Sequence, residues 1–306
     1  MILAVCGATA VGKAGAASRL AHKIGGEIIS VDSRKVFKYM DIGTAKPTKA
    51  EQEKAPYHLI DIIFPDEKYS AGQFCRDARR AIREIEKKGK VPILVGGCGL
   101  YLRAFTNGLD TDCGDDPKTR KELEEEVKQL GSARLHKRLQ ALDPHAAAKI
   151  HSNDVVRIIR AIEVYKVTGK PFSSFQSAEK NSELNLVVIG LMRTTRNLYE
   201  RIEDRVERMF TLGLVAETEG LLNKGYEECL PSMQGLGYKE VCGYLKDNYG
   251  LGEAKRLTKR NTRRYAKRQL TWFRKESRIR WIDADKDNSE ELILQRIASG
   301  MLTTRR

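Results

Sequence analysis

Three groups of residues carry the chemistry in this 306-residue chain. The first is Gly7-Ala8-Thr9-Ala10-Val11-Gly12-Lys13, a G-x-x-x-x-G-K string that follows an apolar run at 2–6 and opens a helical pattern. In that context it reads as a P-loop. Glycines let backbone N–H groups face an anion, the helix start adds a favourable field, and Lys13 adds a charge, so the chemistry is phosphate or diphosphate binding. The next residue, Ala14, lacks the hydroxyl that binds Mg2+ in such loops. The second is Asp32, which closes a β-branched run. It is a candidate general base or metal-water ligand facing the phosphate site, with a helix cap as the plainer alternative. The third is basic: residues 253–280 hold twelve Lys/Arg and two acids, in a chain of formal net charge +14. Lys255, Lys259, Arg263 and Lys267 recur every four residues, and Arg256, Arg260, Arg264 and Arg268 repeat this one residue on. At about 100° per residue they cover well over half of a helix. A solvated surface is the ordinary reading of such a helix. Charge this concentrated, with Tyr265 and Trp272 interleaved, favours an RNA backbone as partner. The remaining strip, Ala254, Thr258, Asn261, Thr262, Tyr265 and Gln269, is small and polar and reads as a poor core face.

These residues need a scaffold. Apolar runs at 2–6, 27–31, 58–63 and 91–95 read as strands, and helical patterns at 13–24 and 71–88 alternate with them. The alternation predicts an α/β fold, a parallel sheet flanked by helices, with ligands gathered at the carboxyl ends of its strands. Those ends carry the P-loop, Asp32 and Gly96-Gly97-Cys98-Gly99. From residue 111 to 182 the pattern is helical, so the expected organisation is a core of 1–110 and 183–306 with an all-helical insertion at 111–182. The insertion is nearly neutral, with 13 basic and 11 acidic residues. A strand at 184–192, helices at 198–212, 214–224, 238–248 and 253–275, an edge strand at 278–283 and a last helix at 289–299 complete the core.

Composition is that of an ordinary globular protein, 41% hydrophobic and 31% charged, and no apolar run approaches the roughly 20 residues of a membrane span. The opening is too short and uncharged for a signal peptide. Six cysteines (Cys6, Cys75, Cys98, Cys113, Cys229 and Cys242) show neither zinc-finger nor redox spacing and read as reduced thiols of a cytoplasmic protein. The five histidines show no metal spacing either, and His58 reads as structural.

Longer strings add a resemblance. Gly7–Lys13, Asp32-Ser33-Arg34, Met40-Asp41-Ile42-Gly43-Thr44-Ala45-Lys46-Pro47, Tyr57-His58-Leu59-Ile60-Asp61, Gly96-Gly97-Cys98-Gly99-Leu100-Tyr101-Leu102, Asn153-Asp154-Val155-Val156-Arg157 with Arg160-Ala161, Gly235-Leu236-Gly237-Tyr238-Lys239-Glu240, and residues 262–273 occur in the order found in tRNA dimethylallyltransferases. The chain resembles the shorter, bacterial form of that family. The resemblance implies a P-loop NTPase-like core, an insertion that grips the tRNA anticodon stem-loop, and basic C-terminal helices. It implies transfer of a dimethylallyl group from dimethylallyl diphosphate to N6 of adenine 37, in tRNAs reading codons that begin with U, with Mg2+; a monomer is the simplest expectation.

Carried over position by position, Asp32, Lys13 and Cys98 would be catalytic. Gly7, Ala8, Thr9, Ala10, Val11, Gly12, Lys13, Ala14 and Arg201 would hold the diphosphate. Asp32, Ser33, Arg34, Lys35, Cys98, Arg120, Arg157, Arg160, Gly237, Tyr238, Lys239, Arg264, Arg268 and Gln269 would meet tRNA. Four positions depart from the family pattern: Ala14 for a hydroxyl residue, Lys35 for glutamine, Phe37 for an aromatic hydroxyl and Cys98 for threonine. Two other readings stand beside an active transferase. One is an RNA-binding paralogue with impaired catalysis, motivated by Ala14 and Cys98. The other is a small-molecule P-loop kinase, which would have no need of the basic helix.

Overall fold

The computed structural model describes residues 1–108, 114, 116–176, 185–286 and 291–292. Cys113, most of the helix expected at 289–299, and the junctions at 110/111 and 182/183 lie outside the described residues. Six strands, β1 (Ile2–Gly7), β2 (Gly26–Val31), β3 (Tyr57–His58), β4 (Val91–Gly96), β5 (Leu186–Met192) and β6 (Ile279–Asp283), form one sheet in the order β3-β2-β4-β1-β5-β6. Every pairing is parallel. β1 and β2 are buried along their length and β5 at all but its two end residues, as a sheet covered on both faces requires.

The helices are α1 (Lys13–Ile24), α2 (Lys49–Lys54), α3 (Ala71–Lys87), α4 (Gly99–Asn107), α5 (Pro117–Leu130), α6 (Ser132–Leu142), α7 (Pro144–Lys149), α8 (Val155–Thr168), α9 (Thr195–Thr211), α10 (Leu214–Asn223), α11 (Tyr238–Leu245) and α12 (Leu251–Phe273). Among the described residues no helix is long and apolar enough to cross a membrane. The chain divides into two compact units, one of Met1–Ser70, Phe74–Leu102 and Glu183–Arg306, the other of Ala71–Gln73 and Arg103–Ser182. In the first, Leu3, Val5, Ile28, Ile93 and Ile189 of the sheet pack with Ala17 and Leu20 of α1, Leu198, Ile202 and Val206 of α9 and Ala266 of α12. In the second, Leu123, Leu135, Leu139, Ile158 and Ile162 make a helical core.

The strand expected at 58–63 shrinks to Tyr57–His58. Leu59 and Asp61 take positive φ, which ends an extended run, and Ile63 returns only as an isolated bridge to Phe37. The short α2 had no apolar periodicity to announce it; a capping box between Thr48 and Glu51 holds its start. His58 is structural: its Nε2 lies 2.7 Å from Glu27, which also takes Lys88 and Lys90 at the amino end of β2.

The expectation for α12 is corrected. Ala254, Thr258, Thr262, Ala266, Gln269 and Phe273 form its buried stripe, so the small polar strip is the core face. Small side chains let the helix approach closely, and the polar atoms have partners: the Thr258 hydroxyl donates to the Ala254 carbonyl, and Gln269 bonds at both ends of its amide.

Candidate active site

Strand order sets the site. β2, β4, β1 and β5 lie side by side, so their carboxyl ends deliver Asp32, Gly97-Cys98, the P-loop and Arg193 in a row. Gly7 turns out of β1 at φ 142°, where a Cβ would stand 2.5 Å from the Leu191 carbonyl oxygen, so only glycine fits. Lys13 folds back over the loop, its Nζ donating to the carbonyls of Gly7 (2.9 Å) and Ala8 (2.6 Å). Arg193 Nε donates to Val11 O at 3.0 Å, and Arg201 Nε to Ala10 O at 2.9 Å. Three cations thus grip carbonyls of the loop. Asp285 in turn binds the Arg193 guanidinium at 2.9 Å.

Asp32 Oδ1 accepts from the backbone N–H of Arg34 at 2.8 Å, more weakly from that of Lys35, and so shapes the turn that follows β2. Its carboxylate interacts with Lys13, Lys35 and Arg205. Burial pushes the Lys13 ammonium down to about 7, with Arg205 adding repulsion and Asp32 opposing both. Lys35 and Arg205 are lowered chiefly by burial as well, and again Asp32 opposes. Burial raises the Cys98 thiol, and so does Asp32, while hydrogen bonds donated to the sulfur by the Tyr101 backbone and the Ser33 side chain work the other way. The group is therefore a neutral thiol beside the carboxylate.

Gln269 locks the two glycine loops together. Thr9 N donates to its Oε1 at 2.8 Å, and its Nε2 donates to Gly97 O at 2.8 Å. A Cβ on Gly97 would collide with that amide, so the close approach needs glycine. Gln269 was expected at RNA; it is buried with its amide spent inside the protein, and it positions the loops.

Other residues expected at RNA have partners within the chain. The Tyr238 ring is 1% exposed, and its hydroxyl donates to Glu217 Oε1 at 2.6 Å. Glu217 also accepts from the N–H groups of Asp41, Ile42 and Gly43. Tyr238 and the 40–47 string are thus one structural clasp, completed by Lys46 on Asp41 and Asp61. Gly237 is buried and donates its N–H to Glu240. In the helical unit Arg120 and Arg160 both bind the fully buried Glu163, which they and the Asp116 N–H keep charged against its burial. Arg157 pairs with Asp154. Lys239, Arg264 and Arg268 are exposed.

Sequence reasoning missed Arg193, Arg205, Glu217 and the bridging role of Gln269. Glu217, spaced far from the string it clasps, left no local signal. Arg205 lies four residues after Arg201, on the same face of α9, and that spacing was its only trace.

The family model described as IPP transferase matches residues 35–276. The chain belongs to the IPP transferase family. Among curated relatives, the tRNA dimethylallyltransferase of Carboxydothermus hydrogenoformans is 50% identical over 294 residues, 95% of this chain and 94% of that one. Among solved structures, the tRNA isopentenylpyrophosphate transferase of Bacillus halodurans matches with a TM-score of 0.72 and 41% identity, covering 100% of this chain and 99% of that one. A eukaryotic dimethylallyltransferase caught acting on tRNA matches with a TM-score of 0.84 and 27% identity, covering 100% of this chain and 80% of that one. The family match spans Arg201 of α9 and Gln269 of α12, which bond the P-loop in this chain.

Proposed function

We propose that this chain transfers a dimethylallyl group from dimethylallyl diphosphate to N6 of adenine 37, in tRNAs that read codons beginning with U. The observation that carries the reading is the strand order, which sets Asp32 after β2 on the same sheet edge as the P-loop after β1, within the electrostatic reach of Lys13, Lys35 and Arg205. The names of the relatives, tRNA dimethylallyltransferase, support the same reaction.

In this reaction the bond between the allylic carbon and the diphosphate oxygen breaks, and a bond from N6 to that carbon forms. The electron pair leaves with the diphosphate, where P-loop amides, Lys13 and Arg201 meet the growing negative charge. N6 is a weak nucleophile and must lose a proton. Asp32 accepts it, held in place by the Arg34 N–H on Oδ1. The neutral Cys98 thiol, tied to Ser33, lines the same end of β2. An adenine reaches this site only when taken out of its stack, and a basic surround suits the RNA that delivers it.

Mg2+ is the ion a diphosphate would bring, but the residues present do not make a protein seat for it. Ala14 offers no oxygen after Lys13, and among the described residues no three His, Cys, Asp or Glu side chains converge on one point. Asp32 already lies in the field of Lys13, Lys35 and Arg205. The leaving charge is met by the chain's own Lys and Arg. The proposed setting is a cytoplasmic monomer.

The test is incubation of the purified chain with unmodified tRNA and labelled dimethylallyl diphosphate. Label is expected on the adenine, and Asp32→Asn should lower transfer by about 100-fold or more with tRNA affinity within two-fold. Tight binding of tRNA without transfer by the parent chain would overturn the reading.

A further inference from the structure

The positive charges of α12 differ in their partners, Arg256 being paired with Glu253 within the helix. Lys255, Lys259 and Arg263 face α9, where the two lysines share Glu207 and Arg263 pairs with Glu203. Arg264, Lys267, Arg268 and Lys275 point elsewhere, and among the described residues none of the four forms an ion pair. With Thr271 and Trp272 they line an open cavity of about 410 Å³ that contains no acid. Trp272 is 37% exposed, unusual for an indole inside a cationic stretch, and one edge of it presses on Gly99, where a Cβ would collide with the ring. Gly99 follows Cys98 directly, and Gln269, one helical turn before Trp272, holds Gly97. Tyr265 is buried enough that its hydroxyl is raised, and it interacts with Asp32 and Cys98, while Arg268 lies 5.8 Å over its ring. One helix therefore runs from the carboxylate to the cavity.

We infer that this cavity is a seat for one unpaired RNA nucleotide adjacent to the nucleotide that reacts, its base laid on Trp272 and its phosphates held by Arg264, Lys267, Arg268 and Lys275. The groove has room for a nucleotide. An aromatic face with unpaired cations around it is the arrangement that binds single-stranded nucleic acid, where the base stacks and the backbone is neutralised. The acid-free lining argues against a peptide of mixed charge. The inference rests on the reading that RNA is the substrate, and it adds a second base to the recognition of that RNA. Stacking of the neighbour helps keep the target base out of its stack, because the two were stacked on each other before binding.

The probe is an anticodon stem-loop RNA in three forms: intact, abasic on the 5′ side of the target adenine, and abasic on its 3′ side. The readout is fluorescence of the Trp281→Phe chain, whose remaining indole is Trp272. Intact RNA is expected to quench that emission. One of the two abasic RNAs should fail to quench and should bind about ten-fold more weakly, in line with the energy of one base–aromatic stack. Trp272→Ala should lose the same ten-fold and bind that abasic RNA and the intact RNA alike, whereas Trp272→Phe, which keeps a ring, should stay within about three-fold. Arg268→Gln should lower the salt dependence of binding by about one charge without removing the quench. Equal quenching by all three RNAs would overturn the inference, as would unchanged affinity in a folded Trp272→Ala chain. Quenching without any dimethylallyl transfer would leave the nucleotide seat standing and overturn the proposed reaction instead. Transfer without quenching would do the reverse.

Discussion

At the scale of single residues, the site works by placing cations where water is scarce. Lys13 sits at about 7 before any anion arrives, chiefly through burial, so near pH 8 most of it is neutral. A diphosphate restores the charge, and binding takes up a proton. Affinity for inorganic pyrophosphate should therefore fall as pH rises from 6 to 9. Calorimetry at pH 8 in two buffers of different ionisation heat should show that uptake in the parent chain and a smaller one in Lys13→Arg, whose guanidinium does not titrate. The sequence displayed Lys13 and Asp32 plainly, because a P-loop and a strand-ending acid are local patterns. It displayed the four departures from the family pattern equally plainly. It hid Arg193 and Arg205, because a cation earns its role here from which loop it faces, and that is a property of the folded chain.

At the scale of elements, α12 is the piece on which the site depends. Its buried stripe of Ala254, Thr258, Thr262, Ala266, Gln269 and Phe273 sets the helix close enough for one amide to join two loops. Ala266 is wholly buried in the sheet-side core. Ala266→Leu should cost about 1–3 kcal/mol by overpacking, read by denaturant unfolding. It should also lower transfer more than RNA affinity, because Gln269, nearly one turn on, is lifted from Thr9 and Gly97 while the exposed cations stay free. The helix itself was legible from its fourfold repeat of Lys and Arg. Its inner face was misread because threonine and glutamine look like surface residues until their partners are known. The third strand was misread for a related reason: the 58–63 run is apolar enough for a strand, yet positive φ at Leu59 and Asp61 turns the chain away after two residues.

For the molecule as a whole, charge is arranged by function and by stability at different places. Near the start of β2, far along the strand from the site, burial alone would raise the Glu27 carboxyl, but hydrogen bonds from Lys90, His58 and Lys88 outweigh it and hold it at about 2. A carboxyl depressed in the folded state stabilises fully above its unfolded value and loses that stabilisation as pH falls through the folded one. Thermal unfolding should therefore show a loss of stability between about pH 4.5 and pH 2 that is smaller in Glu27→Gln. On the RNA side, neutralising Arg264, Lys267 or Lys275 should each lower the salt slope of RNA binding by about one, whereas Lys255→Gln or Lys259→Gln should lower it less, since both lysines are turned to Glu207. The sequence by itself determined the parallel α/β core, the anion loop, the carboxylate beside it and the family, because each is written in residues close together along the chain. Only the tertiary structure decided which of twelve clustered cations face solvent, that Tyr238 and Gln269 serve the fold, and that Trp272 borders the glycine loop. Those outcomes depend on contacts between segments far apart in the chain, and the side of a helix that a residue occupies has no meaning until something packs against the other side.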